Sequence, residues 1–397
     1  MKRSVKILIV CLLVLAAAVG SCVLTLYLTA LPDSAVQTDP VKNKMDEIGA
    51  YLEAYFIDEY DPAELTAAAA DGAAAAMVEA TGDQWSYYIS AEDMAAHEEQ
   101  FYNEYVGVGI MIQLAEQGVQ IVSVTEGGPA EEAGLLVDDI ITHIEGQATV
   151  ELGVDGSKNL VRGEAGTQVH FTVLRGEDIL EMDLTRKQIV SPVAKAQMLE
   201  GNIGWVKISN FDHHCAEQTI QCMEDMLRAG AKALIFDVRF NGGGLKTEMI
   251  EILDVLLPEG PLFRSVDYAG REDVDSSDQA CLDIPMAVMV NQDTYSAAEF
   301  FAAAMQEYEA AVVVGDKTVG KGNFQITMPL SDGSAVAISV GKYYTPKGQS
   351  LTDVGVTPDI EVEMTAEDYV ALYYGNLSAQ EDIQLQEAVF ALQCKIS

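Results

Sequence analysis

The chain has 397 residues, with 23 Lys+Arg against 62 Asp+Glu and a formal net charge of −39. Phosphate backbones and anionic lipid surfaces repel so acidic a protein, which argues against nucleic-acid binding. The length accommodates two or three domains, and 49% hydrophobic with 21% charged residues supports packed cores rather than a disordered acidic tail.

Residues 1–32 differ in kind from the rest of the chain. After Lys2, Arg3 and Lys6 an uncharged apolar run of 25 residues covers 7–31, and the first acidic residue is Asp33. A helix needs about 20 residues to cross the hydrocarbon core. A basic end followed by such a span reads as a signal-anchor, a single membrane helix that leaves everything after Pro32 outside the cytoplasm. A cleaved signal peptide is the alternative, with a weak processing site at Leu28-Thr29-Ala30, and cleavage would make the protein secreted. Val19-Gly20-Ser21-Cys22 also loosely resembles a lipoprotein box. Without the three basic residues of this segment, 20 Lys+Arg face 62 Asp+Glu, a net −42 for the exported part.

Residues 33–42 form a polar, proline-bounded linker. Over 43–100 the apolar residues Ile48, Leu52, Tyr55 and Phe56 follow helical spacing, and Pro62 stands at a helix start. The alanine run over 67–76 predicts close helix packing, since alanine favours helix and adds no bulk. Cys215 and Cys222, seven apart on an expected helix, would be about 10 Å apart by helical rise, too far for a bridge. The cysteines read as small buried hydrophobes.

Between 101 and 187 the texture changes to short β-like pieces punctuated by glycine. Val106-Gly107-Val108-Gly109-Ile110 is followed by Val119-Gln120-Ile121-Val122 and by Gly128-Pro129-Ala130-Glu131-Glu132-Ala133-Gly134-Leu135. Next come Asp138-Asp139-Ile140-Ile141, a polar helix candidate near 154–161 and a last strand near 169–174. This succession resembles a PDZ domain. The resemblance implies a loop at Gly107, Val108, Gly109 and Ile110 whose backbone N–H groups hold a peptide's terminal carboxylate, beside a strand that adds the peptide to the sheet. Arg162 matches an arginine that links such modules to a catalytic domain.

Residues 188–364 alternate buried strands, at 203–208, 233–238, 286–290, 311–314, 323–330 and 335–340, with helices at 216–229, 247–257 and 296–308. That pattern predicts an α/β layer architecture. A helical segment over 365–397 closes the chain, and helical ends at both termini permit a homodimer.

Three stretches of this region can carry chemistry. In Asn291-Gln292-Asp293-Thr294-Tyr295-Ser296-Ala297-Ala298-Glu299 a buried strand runs straight into a helix. Ser296 at that turn presents a hydroxyl beside the free N–H groups of a helix start, which can stabilise an oxyanion; it fits a plain N-cap as well. Gly315-Asp316-Lys317-Thr318-Val319-Gly320-Lys321-Gly322-Asn323-Phe324-Gln325 holds Lys321 between two glycines ahead of an apolar strand. Partial burial would lower its pKa, and bringing it from about 10.4 to about 7.5 demands about 4 kcal/mol. A neutral lysine could then take the Ser296 proton. In Asp237-Val238-Arg239-Phe240-Asn241-Gly242-Gly243-Gly244 three glycines let the backbone approach a substrate closely.

In chain order, the glycine loop first, then the Ser296 turn, then the Lys321 segment, the three stretches resemble the carboxyl-terminal processing peptidases, or tail-specific proteases, as do Lys342-Tyr343-Tyr344-Thr345-Pro346-Lys347-Gly348-Gln349 and Asp83-Gln84-Trp85-Ser86-Tyr87-Tyr88. The resemblance implies a multidomain α/β (α+β) protein: a membrane helix, a helical region, a β-rich PDZ domain and a protease core of the ClpP/crotonase-like type. It implies a serine endopeptidase that binds protein C-terminal tails, with no metal or organic cofactor. Ser296 would be the nucleophile, Lys321 the general base and Gln325 the residue orienting it. The backbone N–H groups of Gly243 and Ala297 would form the oxyanion hole. Four residues of straight strand would separate Lys321 from Gln325 by about 13 Å, so the segment must bend at Gly320 and Gly322. Three residues depart from the family pattern: Gly242 stands for a proline, Tyr295 for a small residue and Val319 for an aromatic one.

Overall fold

The computed structural model describes residues 40–278 and 281–396. The expected membrane helix over 1–32 lies outside these residues, as does most of the 33–42 linker. Among the described residues no helix is long and apolar enough to cross a membrane. The chain divides into two compact units, Met1–Gly82 and Asp83–Ser397.

In the first unit the described residues form the helices Pro40–Tyr55 and Pro62–Glu79. Asp61 starts the second: its carboxylate accepts the Ala63 N–H at 2.7 Å, and Pro62 fits a first turn that needs no N–H. The close packing expected of the alanine run is absent among the described residues, since neither helix buries a residue. Alanine supplies helix propensity here, while its methyl group offers little area to bury.

The second unit begins with a β-rich module. Strands Ile110–Ala115, Gly118–Val124, Ile140–Ile144, Gln168–Arg175 and Asp178–Thr185 pair antiparallel in that order, leaving Ile110–Ala115 at an edge. Val119, Ile121, Ile141, Ile144, Phe171 and Val173 form its core. The helix expected from 154 begins at Thr149 and is kinked at Gly153, so periodicity revealed only its second half. Glu104–Gly107 pairs with Lys187–Val190 where the chain enters and leaves the module.

A six-stranded sheet forms the centre of the larger part. Its order is Ala194–Leu199, Ile203–Ile208, Ala233–Asp237, Met286–Val290, Ala311–Gly315, Ile360–Glu361, and every pair after the first is parallel. Ala233–Asp237 and Met286–Val290 are buried at every residue, as the unbroken apolar runs of strands covered on both faces require. Leu234, Phe236, Met286 and Val288 pack beneath the helices Cys215–Arg228, Lys246–Leu256 and Ala297–Glu307. Ile235, Ala287 and Met289 pack on the other face against Leu385, Ala388 and Leu392 of the helix Ile383–Ile396. The C-terminal segment is therefore two helices, Ala366–Tyr373 and Ile383–Ile396, the first ending ahead of Gly375 with its φ of 71°.

A second sheet joins Tyr87–Ile89, Ala335–Tyr344, Gly260–Asp267 and Glu272–Ser277, with Asn323–Pro329 also paired to Ala335–Tyr344. The parallel strands point their C-terminal ends at the loops of the site, where ligands of open α/β sheets bind.

Candidate active site

Strand Met286–Val290 delivers the turn that carries Ser296. Thr294 Oγ1 donates to the Val238 carbonyl at 2.9 Å, and Asn291 Oδ1 accepts the Phe240 N–H at 3.0 Å, so this turn and the glycine-rich loop are tied together. Ser296 sits at φ 60° and ψ −129°, a backbone conformation that costs about 1–3 kcal/mol and persists only when its surroundings enforce it. The enforcing group is Glu299, fully buried one turn along the helix. Its carboxylate accepts the Ser296 N–H at 3.0 Å, the Gly320 N–H at 2.6 Å, the Lys321 N–H at 2.8 Å and the Thr318 hydroxyl. Burial pushes this carboxyl above its ordinary value, against the pull of the four donors.

Lys321 therefore hangs by its backbone from the same carboxylate as Ser296. Gly320 makes this approach possible: at φ 91°, a Cβ there would lie 2.8 Å from the Val354 nitrogen. The Lys321 Nζ stands 4.8 Å from the centroid of the Trp85 ring and 5.8 Å from that of Tyr295. Burial lowers its pKa, and the charges of Asp83 and Glu299 oppose that shift. Ser296 and Lys321 line one cavity of about 720 Å³, together with Gly243, Gln325 and Asp212. No hydrogen bond joins Ser296 Oγ to Lys321 Nζ among the described residues.

Two expected roles meet a different geometry. Gln325 faces the cavity, but its Nε2 donates to Ser339 Oγ at 2.9 Å and to the Asn323 carbonyl at 3.3 Å, not toward Lys321. The bend expected at the glycines is joined by a register shift between Phe324 and Gln325. Gly243, at φ 89°, brings its backbone against the helix start, where a Cβ would lie 2.7 Å from Ser296 Cβ and 2.8 Å from the Ala297 nitrogen. Its own N–H, however, donates to Asn241 Oδ1 at 2.8 Å and is engaged within the loop.

In the β-rich module, Gly107, Val108, Gly109 and Ile110 line a pocket of about 190 Å³ with Lys158 and Arg162 at its rim. Arg162 pairs with Glu99 at 2.8 Å. Glu99 belongs to the helix Met94–Tyr102, whose Gln100 and Phe101 line the cavity that holds Ser296 and Lys321.

Residues 202–362 match peptidase family S41, and residues 106–185 match the PDZ domain. A carboxyl-terminal-processing protease of Synechocystis sp. is 34% identical over 296 residues, 72% of this chain and 68% of its own length. The chain belongs to peptidase family S41, the carboxyl-terminal-processing proteases. The carboxy-terminal processing protease CtpA of Bacillus subtilis is 28% identical over 382 residues, 94% of this chain and 80% of that one. Among solved structures, the photosystem II D1 C-terminal processing protease matches with a TM-score of 0.45 and 26% identity, over 80% of this chain and 86% of that one. The protein is thus a serine peptidase of mixed α/β multidomain build, with a PDZ domain ahead of the S41 domain.

Glu299 and Trp85 had no assigned role from sequence. Glu299 was within reach, because Ser296-Ala297-Ala298-Glu299 is a capping-box spacing. Trp85 was not, since it meets Lys321 only through the tertiary fold. The neighbouring histidines have structural partners: His213 stacks on Tyr102 with ring centroids 4.9 Å apart, and His214 Nε2 lies 3.0 Å from Glu104.

Proposed function

We propose that this S41 peptidase works outside the cytoplasm, holds protein C-terminal tails in its PDZ pocket and cleaves peptide bonds with a Ser296/Lys321 dyad. The observation that carries the reading is the shared suspension of both residues from Glu299, with the Lys321 amine pressed into an aromatic corner of the cavity that Ser296 lines. A lysine whose ammonium is disfavoured by burial can serve as a base near neutral pH. Ser296 Oγ attacks the scissile carbonyl while its proton passes to Lys321 Nζ. The leaving amine takes that proton, and water repeats the sequence on the acyl-enzyme. The Ala297 N–H at the helix start stabilises the oxyanion, and a turn of the Gly243 N–H away from Asn241 adds the second donor.

The PDZ part of the reading rests on an apolar pocket with cations at its rim and on the free edge strand Ile110–Ala115, to which a tail can add in β-fashion. The Arg162–Glu99 pair supports coupling of tail capture to the cleft. Location outside the cytoplasm, and attachment to the membrane, rest on the basic and apolar pattern of residues 1–32.

Cleavage of a tail peptide by the full-length chain tests the dyad. Ser296→Ala is expected to lose at least about 10³-fold in kcat. Lys321→Arg keeps the charge but cannot deprotonate, and is expected to be equally inactive. Turnover unchanged in either variant overturns the assignment.

A further inference from the structure

Two of the departures from the family pattern meet each other in space. Gly242 lacks a side chain, and a Cβ placed there would lie 2.5 Å from Tyr295 Oη and 2.7 Å from Tyr295 Cζ. The Tyr295 ring therefore occupies the room that any larger residue at 242 would claim. The ring cannot swing aside freely. Its backbone N–H is bonded to the Asn241 carbonyl at 3.1 Å, and its other side stacks on Trp85, with centroids 5.7 Å apart and planes at 29°. Lys321 Nζ lies against these two rings.

We infer that Gly242 and Tyr295 are an interlocked pair, in which the absent side chain seats the tyrosine ring against Trp85 so that the two rings shut water away from the Lys321 amine. The inference rests on the dyad reading and makes Tyr295 a positioning residue that acts through Lys321. The charged groups facing Lys321 are Asp83 and Glu299, both of which favour its ammonium form. The Tyr295 phenol is a further titratable neighbour, and Asp212, His97, Tyr87 and Tyr343 line the same cavity. Two ring effects compete. Each ring face attracts the ammonium by about 0.5–1 kcal/mol where water has access, whereas desolvation can move a fully buried lysine by about 3–5 pH units in the opposite direction. Burial outweighs the charges of Asp83 and Glu299 on Lys321, and we take the two rings as part of what keeps water from the amine.

The test tracks the acid limb of kcat/KM against pH for the full-length chain on a tail peptide. Tyr295→Ser admits water to the amine and is expected to move the limb upward by about one pH unit, which is about a 10-fold loss on the acid side of the limb and little change at high pH. Gly242→Ala, which forces the ring out, is expected to give the same shift. Gly242→Ala/Tyr295→Ser is expected to be no worse than Tyr295→Ser alone, because the Cβ then meets nothing. Tyr295→Phe keeps the ring and is expected to keep the native limb. A limb unmoved in both single variants overturns the inference, and so do losses that multiply in the double variant. Lys321→Arg separates the failures: turnover there sinks the dyad itself, whereas an inactive Lys321→Arg with unmoved limbs sinks only the interlock.

Discussion

Asp212 stands in the cavity lined by Ser296 and Lys321 with no hydrogen bond to its carboxylate among the described residues, and burial beside Glu248 pushes it from 3.8 up to about 7. With the folded value raised, the folded chain holds a proton between pH 3.8 and about 7 that the unfolded chain has released. Stability therefore falls as pH rises through that window and levels off above it. Asp212→Asn removes the burden, so its melting temperature is expected to match the native one near pH 4 and to exceed it at pH 8. Allowing for solvent in the cleft, the gain is about 1–2 kcal/mol. Equal shifts at both pH values would show that the carboxylate ionises there without penalty. At this scale Ser296, Lys321 and the glycine loop could be singled out from local patterns, and the structure brings them to one cavity. The Trp85–Tyr295–Lys321 corner could not, because nothing in the spacing of residues 85, 295 and 321 foretells that their rings and amine meet.

Among elements, the C-terminal helices matter to the site although they stand behind it. Arg239, two residues before Asn241, is buried between Asp237 at 2.8 Å and Asp382 at 2.7 Å, and Asp382 immediately precedes the helix Ile383–Ile396. Phe240 packs on Tyr369 and Tyr373 with centroids 4.9 and 5.4 Å away, and the Tyr369 hydroxyl donates to Asp293 in the Ser296 turn. Removing one partner of a buried ion pair typically costs about 3–5 kcal/mol. Asp382→Ala is accordingly expected to lose about that much in urea unfolding, and a loss below about 1 kcal/mol would mean that Arg239 is satisfied without it. The buried parallel strands were readable as apolar runs. Glu272–Ser277 was not, since it is mostly exposed and its Glu-Asp-Val-Asp-Ser-Ser sequence lacks an apolar face. Ala194–Leu199 escaped notice for a similar reason, being an edge strand in which Ala194 alone is buried.

For the molecule as a whole, a net charge of −39 acts on the substrate before any contact forms. Such a field draws cationic peptides toward the chain, and added salt screens it with a Debye length of about 10 Å at 0.1 M. The kcat/KM for a lysine-rich tail peptide is expected to fall several-fold between about 0.05 and 0.5 M salt, while that for an uncharged peptide of the same apolar end holds steady. Parallel behaviour of the two peptides would exclude long-range attraction as a contributor.

Glu299 has a consequence at this largest scale. Because one carboxylate holds the backbone N–H groups of both the Ser296 turn and the Lys321 loop, the two backbone segments are fixed relative to each other. A disturbance that unseats either segment is expected to loosen the other with it, since both lose the same acceptor.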